Sequence, residues 1–315
     1  MVCHSDWAKT VFEPYLDRQP RDVSSRITIP KETYLVLSVM NLGIDAGSHM
    51  IELTSPLALA GIPILFITTY YSDFILVPQR KKNAVVQALL ARDFVCVEEE
   101  PTVMSHSRGQ SQSSDPPSTP PPSSVDELQK RTFNLLKRRN VVPYICEGLS
   151  LVQCSGRDVS EIMDDYSSRR PSASRRATTN GHRMSWLDNM DTKLYTSLIA
   201  VLAGQPRFLS ITLAMEDSPS LLIDKSLLHI FGDSLRGDTD GNLVPIFLDL
   251  ADLPLEATGI VSGVAGKLVS AMNMVEMGVS GELSYLSTAR AGAVILSNEQ
   301  SMKALEVLRP LLEQD

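Results

Sequence analysis

Apolar residues along this chain fall into short runs parted by polar turns, and the runs come in a recurring order. Residues 34–40, YLVLSVM, have the β-branched and large apolar content of a strand. Residues 49–60 follow as a helix that Gly61 stops. Residues 62–69 and 74–77, IPILFITT and FILV, read as two strands around a polar turn at 70–73. Pro78 suits the first turn of a helix, where its missing N–H is not needed, and residues 79–92 place Val85, Val86, Leu89 and Leu90 on one side. Residues 94–97 close the set as a strand. Strand, helix, two strands, helix, strand predicts the split βαβ arrangement, a four-stranded antiparallel sheet with both helices on one face.

The pattern returns further along. Residues 101–124 are rich in Ser, Pro and Gln with almost nothing to bury, the composition of a disordered linker. Residues 125–139 read as an amphipathic helix with Leu128, Phe133, Leu135 and Leu136 among charges. Next come a strand at 149–153, an insertion at 155–184, and a helix over 191–202 with Leu194, Leu198, Ile199 and Leu202 inward. A hairpin at 208–215 and 221–223 and a strand at 243–250 complete what resembles a degraded copy of the unit. Residues 256–312 repeat it openly: laying Thr68-Thr69-Tyr70 over Ser287-Thr288-Ala289 carries residues 74–77 onto 293–296 and superposes the helices that follow. Ser297, with Gln300 three places on, starts the last helix as a capping box, and Met302, Leu305, Leu308 and Leu312 form its core side.

The expected fold class is α+β, tandem ferredoxin-like βαββαβ modules with helices on one face of antiparallel sheets. The expected organisation is a tail or remnant of a preceding module at 1–31, a module at 32–100, the linker at 101–124, a degenerate module at 125–255 carrying the insertion, and a last module at 256–315. Because a lone sheet of this kind leaves apolar edges, the first and last modules are expected to join edge to edge.

Composition narrows the function. A formal net charge of −8 over 315 residues argues against a nucleic-acid binder, which needs a basic face to release counterions from phosphate. Cys3, Cys96, Cys146 and Cys154 form no CxxC pair and share no zinc-like spacing with the histidines. No apolar run reaches the length of a membrane span and the first residues lack a signal peptide's apolar core, so a cytoplasmic protein is expected. No histidine stands beside a serine or cysteine in a nucleophile motif, and Asp164-Asp165 and Asp249 with Asp252 read as solvated acids, so no catalytic residue, metal or cofactor is expected. The cluster Gly259, Gly263, Gly266 and Lys267 fails as a phosphate loop, since Val261 and Leu268 stand where a glycine and a hydroxyl are required. It leaves two readings: backbone N–H groups at a helix start offered to a ligand carboxylate, or close packing of that helix on a neighbour. Within the insertion, Ser172 and Thr178 each follow paired arginines, the pattern of a basophilic kinase site and equally of a solvated loop.

YLVLSV at 34–39, TYYSDFILV at 69–77, GIVSGVAG at 259–266 and the pair Ser287-Thr288 resemble the ACT modules of the CASTOR arginine-sensor family, over residues 33–97 and 256–312. The resemblance implies a non-catalytic amino-acid-binding protein, a nutrient sensor that acts through protein contacts upstream of target-of-rapamycin signalling. Two other classes compete with it, an effector-binding subunit of an amino-acid biosynthetic enzyme and a ligand-free interaction scaffold. The family pattern has another ACT-like unit before the equivalent of Tyr34, for whose last segment alone this sequence has room; a shortened protein and a misplaced start codon both account for that.

By the same resemblance, an amino acid lies between the two modules. Backbone at Pro63 and Ile64, at Gly259, Ile260 and Val261, and at the turn Thr288 and Ala289 would hold it. Two acids of the family's pocket do not carry over: Gly292 stands where an Asp is expected and Ala257 where a Glu is, with Glu256 one place away as a partial substitute. Pro63 also replaces a serine. Leaving a buried guanidinium without its carboxylate costs roughly 2–5 kcal/mol, so the expected ligand is a small neutral or apolar amino acid, or none, and arginine binds weakly at best. The turn at Tyr70, Tyr71 and Asp73 matches the family's contact with its GATOR partner complex; tyrosines packed on the linker are the alternative. The partners to look for are a small amino acid, a nutrient-signalling complex and a second copy of the chain, with no nucleic acid or membrane.

Overall fold

The computed structural model describes residues 1–40, 46–95, 124–157, 191–214, 217–254, 256–272, 283–288 and 290–313. Residues 5–24 form short helical turns, and those over 5–17 bury no side chain.

The first unit runs β1 (Tyr34–Met40), α1 (Ala46–Leu59), β2 (Leu65–Thr68), β3 (Ser72–Pro78) and α2 (Lys82–Leu90). Gly61, at φ +65°, ends α1, and the Ile62 N–H then bonds back to the Leu57 carbonyl. β3 lies between β1 and β2, antiparallel to both. Of the strand expected at 94–97, Phe94 and Val95 are irregular after the turn that ends α2, and residues 96–97 lie outside the described residues.

A helix, α3 (Val125–Arg138), starts at Ser124, whose hydroxyl accepts the Glu127 N–H, and leads to the short β4 (Tyr144–Ile145). The next unit is β5 (Leu151–Gly156), α4 (Thr192–Ala203), β6 (Leu209–Thr212), β7 (Ser220–Asp224), α5 (Leu228–Phe231) and β8 (Leu235–Gly237). Its strands lie in the order β8, β5, β7, β6, all antiparallel. The unit expected to be degenerate thus has its six elements in the full βαββαβ order. β8 and α5 are too short to leave a hydrophobic period, which is why the sequence hid them.

The last unit is β9 (Leu243–Asp249), α6 (Ile260–Ala271), β10 (Ser284–Ser287), β11 (Ala291–Ser297) and α7 (Asn298–Leu312). β11 lies between β9 and β10. β4 and one end of β5 pair with the far side of β9. β10 meets β2 antiparallel through the pair Leu286 and Ile67, so the first and last units do join edge to edge. Everything belongs to one sheet of 11 strands.

That sheet has different cover on its two faces. α1, α2, α3, α6 and α7 bury Leu57, Val85, Leu136, Val264 and Leu308 against Phe66, Ile75, Tyr285 and Val294. On the opposite face Ala293 and Ile295 of β11 meet Leu151 and Leu222 of the middle unit. β11 is therefore buried on both sides, which explains why it reads as an unbroken apolar run where a half-covered strand would alternate. α4 covers the far side of the middle unit with Leu194, Leu198 and Val201 against Val152, Cys154 and Ile223.

Two helices turn a different face inward from the one expected. On α4 the inner stripe is Leu194, Leu198 and Val201, leaving Ile199 68% and Leu202 56% exposed. On α7 Ser301 and Ala304 take core positions while Met302 points out. Ser301 is tolerated there because its hydroxyl donates to the Val244 carbonyl at 2.7 Å. The Ser297 hydroxyl accepts the Gln300 N–H, but buried Gln300 Oε1 has no hydrogen-bond partner among the described residues, so the capping box is half made. Among the described residues, no helix is long and apolar enough to cross a membrane.

Candidate functional site

A cavity of about 170 Å³ opens where the first and last units meet. Residues 62–65 form one wall and the start of α6, Gly259 to Ser262, the facing one. Thr54 and Ala58 of α1, residues 250–254 and 256–257, and Tyr285, Ser287 and Thr288 add to it, and Glu32, Tyr34, Pro78 and Arg80 complete it.

The start of α6 is shaped by its glycines. Gly259 is left-handed at φ +83°, and a Cβ there would stand 2.7 Å from Leu128 Cδ1 of α3. A Cβ on Gly263 would lie 2.9 Å from Thr132 Cγ2, and one on Gly266 2.7 Å from Gln129 Nε2. Of the two readings of this cluster, Gly263 and Gly266 take the packing one, since they let α3 lie directly on α6. Gly259 likewise touches α3, and it also lines the cavity. No side chain caps α6. Its first turn lacks intrahelical acceptors for its N–H groups and carries the positive end of the helix dipole, at the cavity wall.

Pro63, Ile64, Glu256, Gly259, Ile260, Val261 and Thr288 all line the cavity, as does Ala257. Ala289, Ser172 and Thr178 lie outside the described residues. Thr288 is engaged in its own turn, its hydroxyl accepting the Ala291 N–H at 2.9 Å and its N–H donating to the Ala291 carbonyl at 2.8 Å. Gly292 is the exception among the described candidates. It is buried behind Tyr285, whose Oη would stand 2.5 Å from a Cβ at position 292.

Sequence reasoning missed Glu32, Tyr34, Arg80 and Tyr285. The first three are gathered by the β1–β3 ladder, which sets Tyr34 opposite Pro78. Just beyond it the Gln79 N–H donates to the Thr33 carbonyl at 2.9 Å, and Arg80 Nε lies 3.0 Å from the Glu32 carboxylate. Extending that strand register by two residues would have found the pair. Burial raises the Tyr34 phenol, and nearby Glu32 adds to the rise while Arg80 opposes it.

The turn expected to meet a partner also bonds within the chain, while Tyr70 and Tyr71 stay 36% and 41% exposed. The Thr69 carbonyl accepts from Gln153 Nε2 at 2.7 Å, the Tyr70 N–H donates to Ser220 Oγ at 2.8 Å, and Tyr71 Oη shares a hydrogen bond of 2.7 Å with Ser155 Oγ. The Tyr70 ring lies so near β8 that a Cβ on Gly237 would be 2.8 Å from it. Tyr70 and Tyr71 thus pack on the middle unit, and the linker at 101–123 lies outside the described residues. Asp73 is only 8% exposed, and burial pushes its carboxyl up to about 6, against a hydrogen bond from Thr68 and the field of the His49 ring. Elsewhere, burial pushes the Cys154 thiol up to about 12, and Cys3, Cys146 and Cys154 are free thiols. Among the described residues no cluster of three His, Cys, Asp or Glu gathers as a metal site would.

No curated protein matches the chain significantly in sequence. Among solved structures, a Vibrio cholerae protein of unknown function, described as a possible transport protein, is 15% identical and aligns with 59% of this chain and 98% of its own, at a TM-score of 0.32. The aspartate kinase of Synechocystis is 10% identical and aligns with 89% of this chain and 40% of its own, also at 0.32. The chain thus spans less than half the length of that kinase. Residues 30–91, which hold β1, α1, β2, β3 and α2, match the family model of the ACT domain, and the chain accordingly carries an ACT domain in its first unit.

Proposed function

We propose that this chain is a non-catalytic regulatory protein that binds an amino acid in the cavity between its first and last units and transmits the state of that site through protein contacts. The observation that carries this is the uncapped N-terminus of α6 opening on a cavity at the junction of two edge-paired βαββ units. Such an end favours a carboxylate by up to roughly 1 kcal/mol even at an exposed surface. Glu256, also at the cavity, favours an ammonium group. A zwitterion satisfies both.

Size and charge select the side chain. A cavity of roughly 150 Å³ holds benzene, so about 170 Å³ suits an amino acid with a small side chain. Ala257 and Arg80 at the wall offer nothing to a guanidinium, and Glu32 is already paired with Arg80. The ACT match supports amino-acid binding, and the resemblance to CASTOR proteins supports a cytoplasmic nutrient sensor with a signalling complex as its partner. A second copy of the chain is a further partner in this reading, for which β6 and α4 supply the surface.

Calorimetric titration of the full chain with the twenty amino acids tests it. Small neutral amino acids are expected to release or absorb heat with one site per chain, and arginine to bind at least about tenfold more weakly. Micromolar arginine binding lost in Glu256→Ala would show that Glu256 replaces the missing acids. Turnover of a metabolite by the chain alone would overturn the non-catalytic reading.

A further inference from the structure

The hairpin turns of the first and last units are built alike. The Thr69 N–H and hydroxyl donate to the Ser72 carbonyl at 2.9 and 2.6 Å, and the Ser72 N–H returns to Thr69 Oγ1 at 3.1 Å. The Thr288 N–H and hydroxyl donate to the Ala291 carbonyl at 2.8 and 3.2 Å, and the Ala291 N–H returns to Thr288 Oγ1 at 2.9 Å. With the turns superposed, the ladders fix the rest: Thr68 opposite Asp73 corresponds to Ser287 opposite Gly292, and Phe66 opposite Ile75 to Tyr285 opposite Val294. Phe66, Ile75, Tyr285 and Val294 all enter the same helix-covered core.

At one pair of corresponding positions the two units exchange size. The first carries Phe66 with Asp73, the last Tyr285 with Gly292. The extra hydroxyl of Tyr285 occupies the place a side chain at 292 would need, 2.5 Å from its Cβ, with Tyr285 Cζ at 3.2 Å. Tyr285 lines the cavity and Gly292 does not, so the phenol stands between position 292 and any ligand.

We propose that Tyr285, made possible by Gly292, is the residue that sets ligand specificity in this cavity: it closes the sector below position 292 and presents a neutral hydroxyl, so that small uncharged amino acids enter and long cationic ones do not. This rests on the amino-acid reading given above. Burial raises the phenol well above its usual value, which keeps it uncharged.

The variant Tyr285→Phe/Gly292→Asp recreates in the last unit the combination that the first already holds at Phe66 and Asp73. Titration of the full chain is expected to show small neutral amino acids weakened and arginine or lysine strengthened, each by about tenfold or more. A folded double variant with an unchanged ranking of ligands would overturn Tyr285's role. No binding of any amino acid to wild type or variant would instead sink the amino-acid reading itself. Thermal melting gives a ligand-free check. Gly292→Ala is expected to lower the melting temperature, and Tyr285→Phe in the same chain to restore most of the loss. A Gly292→Ala chain as stable as wild type would show that the phenol does not fill that space, and the proposal would fall.

Discussion

Asp73 is held at a pKa near 6 against a usual 3.8, so between those values the folded chain keeps a proton that the unfolded chain has released. Stability then falls as pH rises through this window, the reverse of the usual salt-bridged aspartate, and the full difference is about 3 kcal/mol. Asp73→Asn keeps the shape and loses the charge. In urea titrations it is expected to match wild type near about pH 4 and to exceed it by 1–3 kcal/mol, roughly, at pH 7; equal midpoints at both pH values would rule this out. The same residue shows what a sequence hides. An aspartate in a turn reads as exposed, and nothing in its neighbours reveals that Ser155 and Ser220, far along the chain, close over that turn. The backbone part of the cavity was legible, because glycines and a proline announce unusual backbone. Its side chains were less so: Tyr285 is one aromatic in an apolar strand until the partner strand shows Gly292 behind it.

At the scale of elements, the contact between α3 and α6 decides between two opposed effects. Glycine to alanine inside a helix ordinarily gains about 1 kcal/mol. At Gly263 the new methyl carbon would sit 2.9 Å from Thr132 Cγ2, and overpacking of that kind costs about 1–3 kcal/mol, so destabilisation wins. Gly263→Ala is expected to lower the urea midpoint, and Thr132→Ala in the same chain to recover part of it, despite losing the bond from the Thr132 hydroxyl to the Gly259 carbonyl. A double variant no better than the single would show that the helices do not meet there. Most strands and helices were visible as apolar runs, yet the faces of α4 and α7 were misjudged. Leucine and isoleucine occupy both sides of α4, and period alone does not say which stripe has a neighbour. β4 and β8, of two and three residues, are defined by their partners and leave no local trace.

Across the whole molecule the sheet has two β2-like edges paired with each other and one left over among the described residues. β2 and β10 pair with each other and bring α1 against α6, while β6, their counterpart in the middle unit, pairs only with β7 among the described residues. Beside it α4 exposes Ile199 and Leu202. A second copy docking by the same geometry would cover both, and sedimentation is expected to show a dimer that Ile199→Asp dissociates; a monomeric wild type would exclude it. In the ladder the seam between β2 and β10 is a single pair, helped by the Tyr285 N–H donating to Thr68 Oγ1 at 3.0 Å, and α1 packs on α6 above it in the shared core. An occupant touching Pro63 on one side and Val261 on the other is a stitch across that seam, and at a hundredfold excess over its Kd it adds about 2.7 kcal/mol to whatever opens there. On that reading the site reports stiffness more than shape: the amides of Ile67 and Leu286 are expected to exchange more slowly with solvent deuterium when the stitch is in place.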